Sequence, residues 1–286
     1  MRIDRFLHIF LTKGDTMIID THAHIGSVLT FRMTMEDVLY SMERYGVDFS
    51  LISNIEAVEC DNSGRLIPKL FQTKQNSLIK KMIRVVRPHS DKLGILVWIK
   101  PLTEQPDDEF VRLIEENRDI IYGFKTHPFH SRVAPDDERM EAYYKIAERF
   151  GFPIASHTGG CPEAASIHMF NAAKAHPKLD FIMVHMDLGT DNSQAVDLLG
   201  RLPNLYGDTT WVSVESTLKA VKLWGSEIIL FGTDNPIDGK DTLLHNKTGD
   251  RSLYQYYFNE FRSQVSAEDY DNIMYKNARR IFRIDK

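Results

Sequence analysis

The sequence predicts a (β/α)8 barrel, and three observations carry that expectation. Short apolar runs suited to strands buried on both faces alternate eight times with helical stretches. The connections are of helix length, which is what parallel strands need. Polar residues able to hold a metal recur at the C-terminal ends of several runs, where such a barrel gathers its active site. The chain has 286 residues, enough for one large α/β domain. An open doubly wound sheet is the competing architecture, but no glycine-rich dinucleotide loop follows the first strand.

The first strand enters through Met17-Ile18-Ile19 and leaves through Asp20-Thr21-His22-Ala23-His24-Ile25-Gly26. Side chains alternate along a strand, so His22 and His24 share a face, their Cα atoms roughly 7 Å apart. A helix over 35–42 follows, with Thr34 as its N-cap, and Gly46 ends it. The second strand covers 47–52. The polar connection 54–74 is long enough to suggest a functional loop. Helix 78–86 stops before Pro88, and 93–99 is the third strand. After helix 107–116, the fourth strand runs over 120–125 and closes at Thr126-His127-Pro128. A strong helix spans 136–150, with acids at its start and Gly151 at its end. The fifth strand, 153–156, leads into His157-Thr158-Gly159-Gly160. Helix 163–175 and the sixth strand, 179–184, precede His185-Met186-Asp187. Helix 194–199, strand 205–209, helix 214–224 and strand 227–231 complete the alternation, ending at Gly232-Thr233-Asp234. Two further helices are expected over 252–264 and 267–280. Residues 1–16 read as an N-terminal extension outside a single barrel domain at 17–286, with Met17 a candidate start.

Composition narrows the function classes. Hydrophobic residues make up 43% and charged residues 26%, ordinary for a globular protein. A net charge of −5 supplies no basic field for nucleic acid or an anionic membrane. The apolar stretch at 6–11 is too short to span a bilayer. The two cysteines, Cys60 and Cys161, form no framework and suit a reducing, cytoplasmic setting.

The chemistry lies at the strand ends. His22 and His24 end the first strand, Lys125 the fourth, His157 the fifth, His185 the sixth and Asp234 the eighth. A closed barrel brings these ends to one mouth. Three imidazoles and a carboxylate suit Zn²⁺ or a similar ion. Such an ion with an open position brings the pKa of bound water to about 7. Asp234 is then placed to orient that water or take its proton. His185 could hold a second metal or donate a hydrogen bond to a substrate carbonyl.

Taken together, Asp20-Thr21-His22-Ala23-His24, Gly123-Phe124-Lys125-Thr126-His127-Pro128, Ser156-His157-Thr158-Gly159, Val184-His185-Met186-Asp187, Phe231-Gly232-Thr233-Asp234-Asn235-Pro236 and Asn277-Ala278-Arg279-Arg280-Ile281-Phe282 resemble the amidohydrolase superfamily. The closest likeness is to the amidohydrolase-2 branch, which includes decarboxylases of the aminocarboxymuconate-semialdehyde type. The resemblance implies His22, His24, His157 and Asp234 around one metal, with His185 on the ion or next to its ligands. In some relatives a lysine at the position of Lys125 is carboxylated and bridges two metals; one zinc is the expectation here. Otherwise Lys125 is a cation for substrate or for Asp234.

Other residues at the same mouth are candidates for a substrate pocket: Glu56 after the second strand, Trp98 in the third, His127 after the fourth, Trp211 after the seventh. Cations in the loop 237–251 (Lys240, Lys247, Arg251) and after the second strand (Arg65, Lys69, Lys74) would suit an acidic substrate. The expected function is metal-dependent hydrolysis of an amide, lactone or ester of a small molecule. The alternatives are non-oxidative decarboxylation of a small carboxylic acid and a metal-binding barrel without catalysis. A homodimer is the expected assembly.

Overall fold

The computed structural model describes residues 16–237 and 253–285. All of the expected N-terminal extension except Thr16 lies outside them, as do Lys240, Lys247 and Arg251. The elements run in the order β1 (Ile19–Val28), β2 (Phe31–Met33), α1 (Met35–Tyr45), β3 (Phe49–Asn54), α2 (Gln75–Val86), β4 (Leu93–Trp98), α3 (Asp108–Glu116), β5 (Ile121–Thr126), α4 (Pro128–Ser131), α5 (Glu141–Phe150), β6 (Ile154–Gly159), α6 (Ser166–Ala175), β7 (Phe181–Leu188), α7 (Ser193–Leu199), β8 (Leu205–Asp208), α8 (Val214–Trp224) and β9 (Ile229–Leu230). The chain then forms α9 (Ala267–Asp271), a π-helical turn (Asn272–Lys276) and α10 (Asn277–Phe282). No helix among the described residues is long and apolar enough to cross a membrane.

The sheet order is β2-β1-β3-β4-β5-β6-β7-β8-β9, parallel throughout except for the β1–β2 hairpin. Its ends meet. The Thr21 N–H donates to the Phe231 carbonyl (2.9 Å), the Asp234 N–H to His22 (2.7 Å), and the His24 N–H to Asn235 (2.7 Å). Strand alternation then sorts the apolar residues. Leu51, Leu96, Ile182 and Leu230 gather inside the ring, where Ile281 and Phe282 of α10 join them. Their neighbours Ile52, Val97, Phe181, Met183 and Ile229 belong instead to the layer packed against the helices. Both faces of each strand are thus covered, as the continuous apolar runs require. Burial of each large apolar side chain stabilises the fold by about 1.5–3 kcal/mol.

Local chemistry sets the boundaries. Thr34 caps α1 by accepting from the Asp37 N–H, and Gly46 takes the left-handed conformation that closes the helix. Three expectations change. The hairpin β1–β2 extends the first strand past Gly26, where no strand was expected. The helix expected over 136–150 opens with a 3₁₀ turn at Glu138–Met140, capped by Asp137, before α5 begins. Acids favour such caps over helix interiors. The helix expected over 252–264 is replaced by 3₁₀ segments at Leu253–Phe258 and Arg262–Gln264. Tyr256, Tyr257 and Phe258 are poor helix formers. Tyr257, fully buried, ties this segment to α8 through a 2.6 Å bond between its hydroxyl and that of Thr217.

Two side chains anchor regions that frame the mouth. Asn277 donates from Nδ2 to the carbonyls of Ser226 and Ile229, both at 2.8 Å, fixing β9 from below. Glu59, in the connection after β3, accepts from the Thr103 N–H and hydroxyl (2.6 Å each) and from the Leu102 N–H.

Asn277→Ala removes both bonds, leaving the Ser226 carbonyl only the Ile229 N–H, and should lower the unfolding free energy by about 1–3 kcal/mol, read by denaturant titration. Burial raises the Glu59 carboxyl to about 7, against the hydrogen bonds that favour its charged form. The folded state therefore holds this proton more tightly than the unfolded state does. Its contribution to stability is full at low pH and is lost as pH rises through about 7. Glu59→Gln should make the fall in stability between pH 5 and 7 shallower than in the parent protein.

Candidate metal centre and its cavity

His22 and His24 lie in the middle of β1, before the stretch that pairs with β2 and next to the seam that closes the ring. Their Nε2 atoms are 2.8 Å apart. Asp234 Oδ1 lies 3.0 Å from His24 Nε2 and 3.5 Å from His22 Nε2. Ligand atoms about 2.1 Å from a tetrahedral ion stand about 3.4 Å from one another, so the three atoms have nearly the spacing of one metal face. All three residues are buried, and among the described residues they form the one group of His, Cys, Asp or Glu of that kind.

The neighbours hold each ligand in place. The Ser53 hydroxyl lies 2.8 Å from His24 Nδ1 and leaves Nε2 for an ion. The Trp211 indole N–H donates to Asp234 Oδ2 (2.9 Å), leaving Oδ1 for the ion. Asp20 accepts from the His22 N–H and from the N–H and hydroxyl of Thr233, tying β1 to the Asp234 turn. Asp208 stands behind: it accepts from the His185 N–H and from Thr210, and its Oδ2 is 3.5 Å from His22 Nδ1. Lys125 Nζ is 3.1 Å from His22 Nε2.

His157 does not share the face formed by His22, His24 and Asp234. Its Nε2 is 3.2 Å from the Gly159 carbonyl, which can only accept, so that nitrogen carries the proton. Nδ1 is then a buried lone pair with no hydrogen-bond partner. The His157 ring stacks on His127 (3.9 Å between centroids), and His127 stacks on Trp98 (4.9 Å). His185 follows the same logic. Its Nδ1 faces the Thr210 carbonyl at 3.1 Å, so neutral His185 offers an acceptor, not a donor, at Nε2. The expected donation to a substrate carbonyl would require a protonated ring.

Electrostatics keep His22, His127, His157 and His185 neutral. Burial, followed by nearby positive groups, pushes His22, His127 and His157 far below the usual histidine range. Burial also brings His185 down to about 4. Burial works against the charge of Asp234, but its bond with His24 and the positive groups around it outweigh that cost and hold its carboxyl low. Neutral imidazoles beside a charged carboxylate are the forms in which these residues bind metal. Burial raises Asp208 to about 7 and lowers Lys125 to about 8, each opposed by the other's charge.

His24, His157, His185 and Asp234 open into a cleft of about 230 Å³. Trp98 and His127 line it, as the sequence suggests. Glu56 does not: its carboxylate is bound to Lys81 (2.7 Å) and to the Ser27 N–H. Trp211 is also absent from the lining and acts on Asp234 instead. Sequence reading assigned no role to Ser53 or Asp20. Strand alternation puts Asp20 on the face of His22 and His24, which is the signal that could have revealed it.

No curated protein matches the chain. Three solved structures resemble it in fold. The 5-carboxyvanillate decarboxylase of Sphingomonas paucimobilis has a TM-score of 0.67 at 13% identity, over 94% of this chain and 99% of that one. A dihydroxybenzoic acid decarboxylase of Polaromonas, with manganese and 2-nitroresorcinol bound, scores 0.66 at 14%, over 95% and 98%. A probable 2-pyrone-4,6-dicarboxylic acid hydrolase of Acinetobacter baumannii scores 0.63 at 12%, over 93% and 99%. The family model for amidohydrolases of the amidohydrolase-2 type matches residues 19–284, and the chain belongs to that family.

Proposed function

We propose that this protein is a metal-dependent hydrolase that cleaves an amide, lactone or ester bond of a small molecule. The observation that carries the reading is the spacing of His22 Nε2, His24 Nε2 and Asp234 Oδ1 at one end of an open cleft, with neutral His185 at the same cleft. The donor set fits a borderline ion such as zinc, and the unpartnered Nδ1 of His157 is a fourth donor. A bound ion would supply Lewis acidity toward water or a carbonyl. One ion suffices, because Lys125 then serves as the buried cation facing Asp208 and Asp234.

The residues divide the remaining work. Asp234, oriented by Trp211, holds the attacking water and takes its proton. His185 Nε2 accepts a second hydrogen bond from that water. The water oxygen bonds to the carbonyl carbon, the C–O or C–N bond breaks, and the proton taken by Asp234 passes to the leaving atom. One water is consumed. Decarboxylation is the second reading: the flat Trp98–His127 stack along the cleft suits an aromatic ring. There a proton would replace CO₂ without net uptake of water.

His24→Ala is expected to reduce bound metal from one equivalent to nearly none by elemental analysis, with loss of turnover. Asp234→Asn should lower kcat by about 10²–10⁴-fold. A screen of lactones, amides and aromatic acids with the zinc-loaded enzyme decides between the readings. Release of CO₂ with no water added would assign a lyase, and full activity after chelation would remove both.

A further inference from the structure

The described walls of the cleft supply no lysine or arginine for an acidic substrate, and the cations Lys240, Lys247 and Arg251 lie outside the described residues. Apart from the cleft's histidines, Asn62 and Asp234, its walls are aliphatic and aromatic, with Val28, Leu29 and Phe31 of the β1–β2 hairpin facing Ile55, Val58 and Phe129. Among the described residues that line it there is no lysine or arginine, and Asp234 is the one carboxylate. Arg65 turns away to Asp61. Lys125 is fully buried and does not reach the lining.

The hairpin tip adds an independent observation. Leu29 has φ 54, in the left-handed region that favours Gly or Asn, and two-residue hairpin turns normally place those residues there. Leu29 is also 45% exposed. The chain thus keeps a large apolar side chain in a strained backbone position, half in water, at the rim of its own cleft. An apolar group that covers this side chain when the site is filled would offset its exposure.

We infer that the substrate is an uncharged carbonyl compound with an apolar body that packs beneath Leu29, its reacting carbonyl directed toward His24 and Asp234. This rests on the hydrolase reading for the reaction but not for the binding preference. Each methylene covered by the walls should tighten binding by about fourfold.

The test uses two ligands that cannot be hydrolysed: 2-octanone and 7-oxooctanoate, alike except for a carboxylate at the far end. Calorimetric titration of the zinc-loaded protein should show the ketone binding at least about tenfold tighter. Leu29→Asn, which suits a left-handed turn, should keep or raise Tm and narrow that ratio severalfold. Equal or tighter binding of the keto acid overturns the inference, with or without turnover. So does an unchanged ratio in a folded Leu29→Asn protein. If the variant fails to fold, the ratio in the parent protein alone decides. A preserved preference for the ketone, in a protein that hydrolyses no ester, lactone or amide, would sink the hydrolase reading alone.

Discussion

The site depends on the seam where the last strand meets the first. β9 is only two residues long, Ile229–Leu230, and the ring is completed by backbone bonds from Thr21, His24 and Asp234 across it. The bond from the Asp234 N–H to the His22 carbonyl brings a carboxylate 212 residues away in sequence against the paired imidazoles. Asp20 locks the same seam through side chains by binding Thr233 twice. Closing the barrel and assembling the metal face are therefore one event. Asn277, which holds β9 at its other end, contributes to the site without touching it.

Electrostatics follow from that closure. Bringing Asp20, Asp208, Asp234 and Lys125 together with four buried histidines removes them from water, and burial penalises every charge. The arrangement tolerates this by giving each acid several donors and by leaving His22, His157 and His185 uncharged. Asp234 alone among the three acids is drawn below its ordinary range, because positive groups converge on it. Asp20 and Asp208 are both raised to about 7 by burial. The carboxylate that faces the cleft is thus the one most firmly ionised, which is what a metal ligand requires.

Much of this was legible in the sequence because barrel strands are buried on both faces and the helices between them carry recognisable caps. Thr34 and Gly46 bound α1 as their chemistry dictates, and His22, His24 and Asp234 come together as one group with Lys125 buried against His22. Three things were hidden. The β1–β2 hairpin carries no Asn-Gly or similar turn signal; its tip is Leu29-Thr30. Which nitrogen of His157 or His185 bears a proton depends on the Gly159 and Thr210 carbonyls, and no spacing rule reports those. Glu56 looked available only because Lys81, on the next helix, is 25 residues away in sequence.

The strained backbone positions connect these points. Leu29, His185, Met186, Asp187, Trp211 and Asp234 all have positive φ without being glycine, and all lie at the C-terminal rim or just beyond it. At β7 the strain comes from a register shift: His157 pairs with Val184, but Gly159 pairs with Leu188, so β7 carries extra residues there. Such a bulge re-aims side chains, and here it turns His185 toward the cleft. It is held by side chains as well as by the ladder: Asp208 accepts from the His185 N–H, Thr158 from the Asp187 N–H, and Asn192 donates to the His185 and Met186 carbonyls. Each left-handed non-glycine residue costs on the order of 1–2 kcal/mol. At His185 and Asp234 that cost is met by bonds within the protein. At Leu29 the exposed apolar side chain can make no such bond, and in the inferred complex the apolar body of the substrate is what covers it.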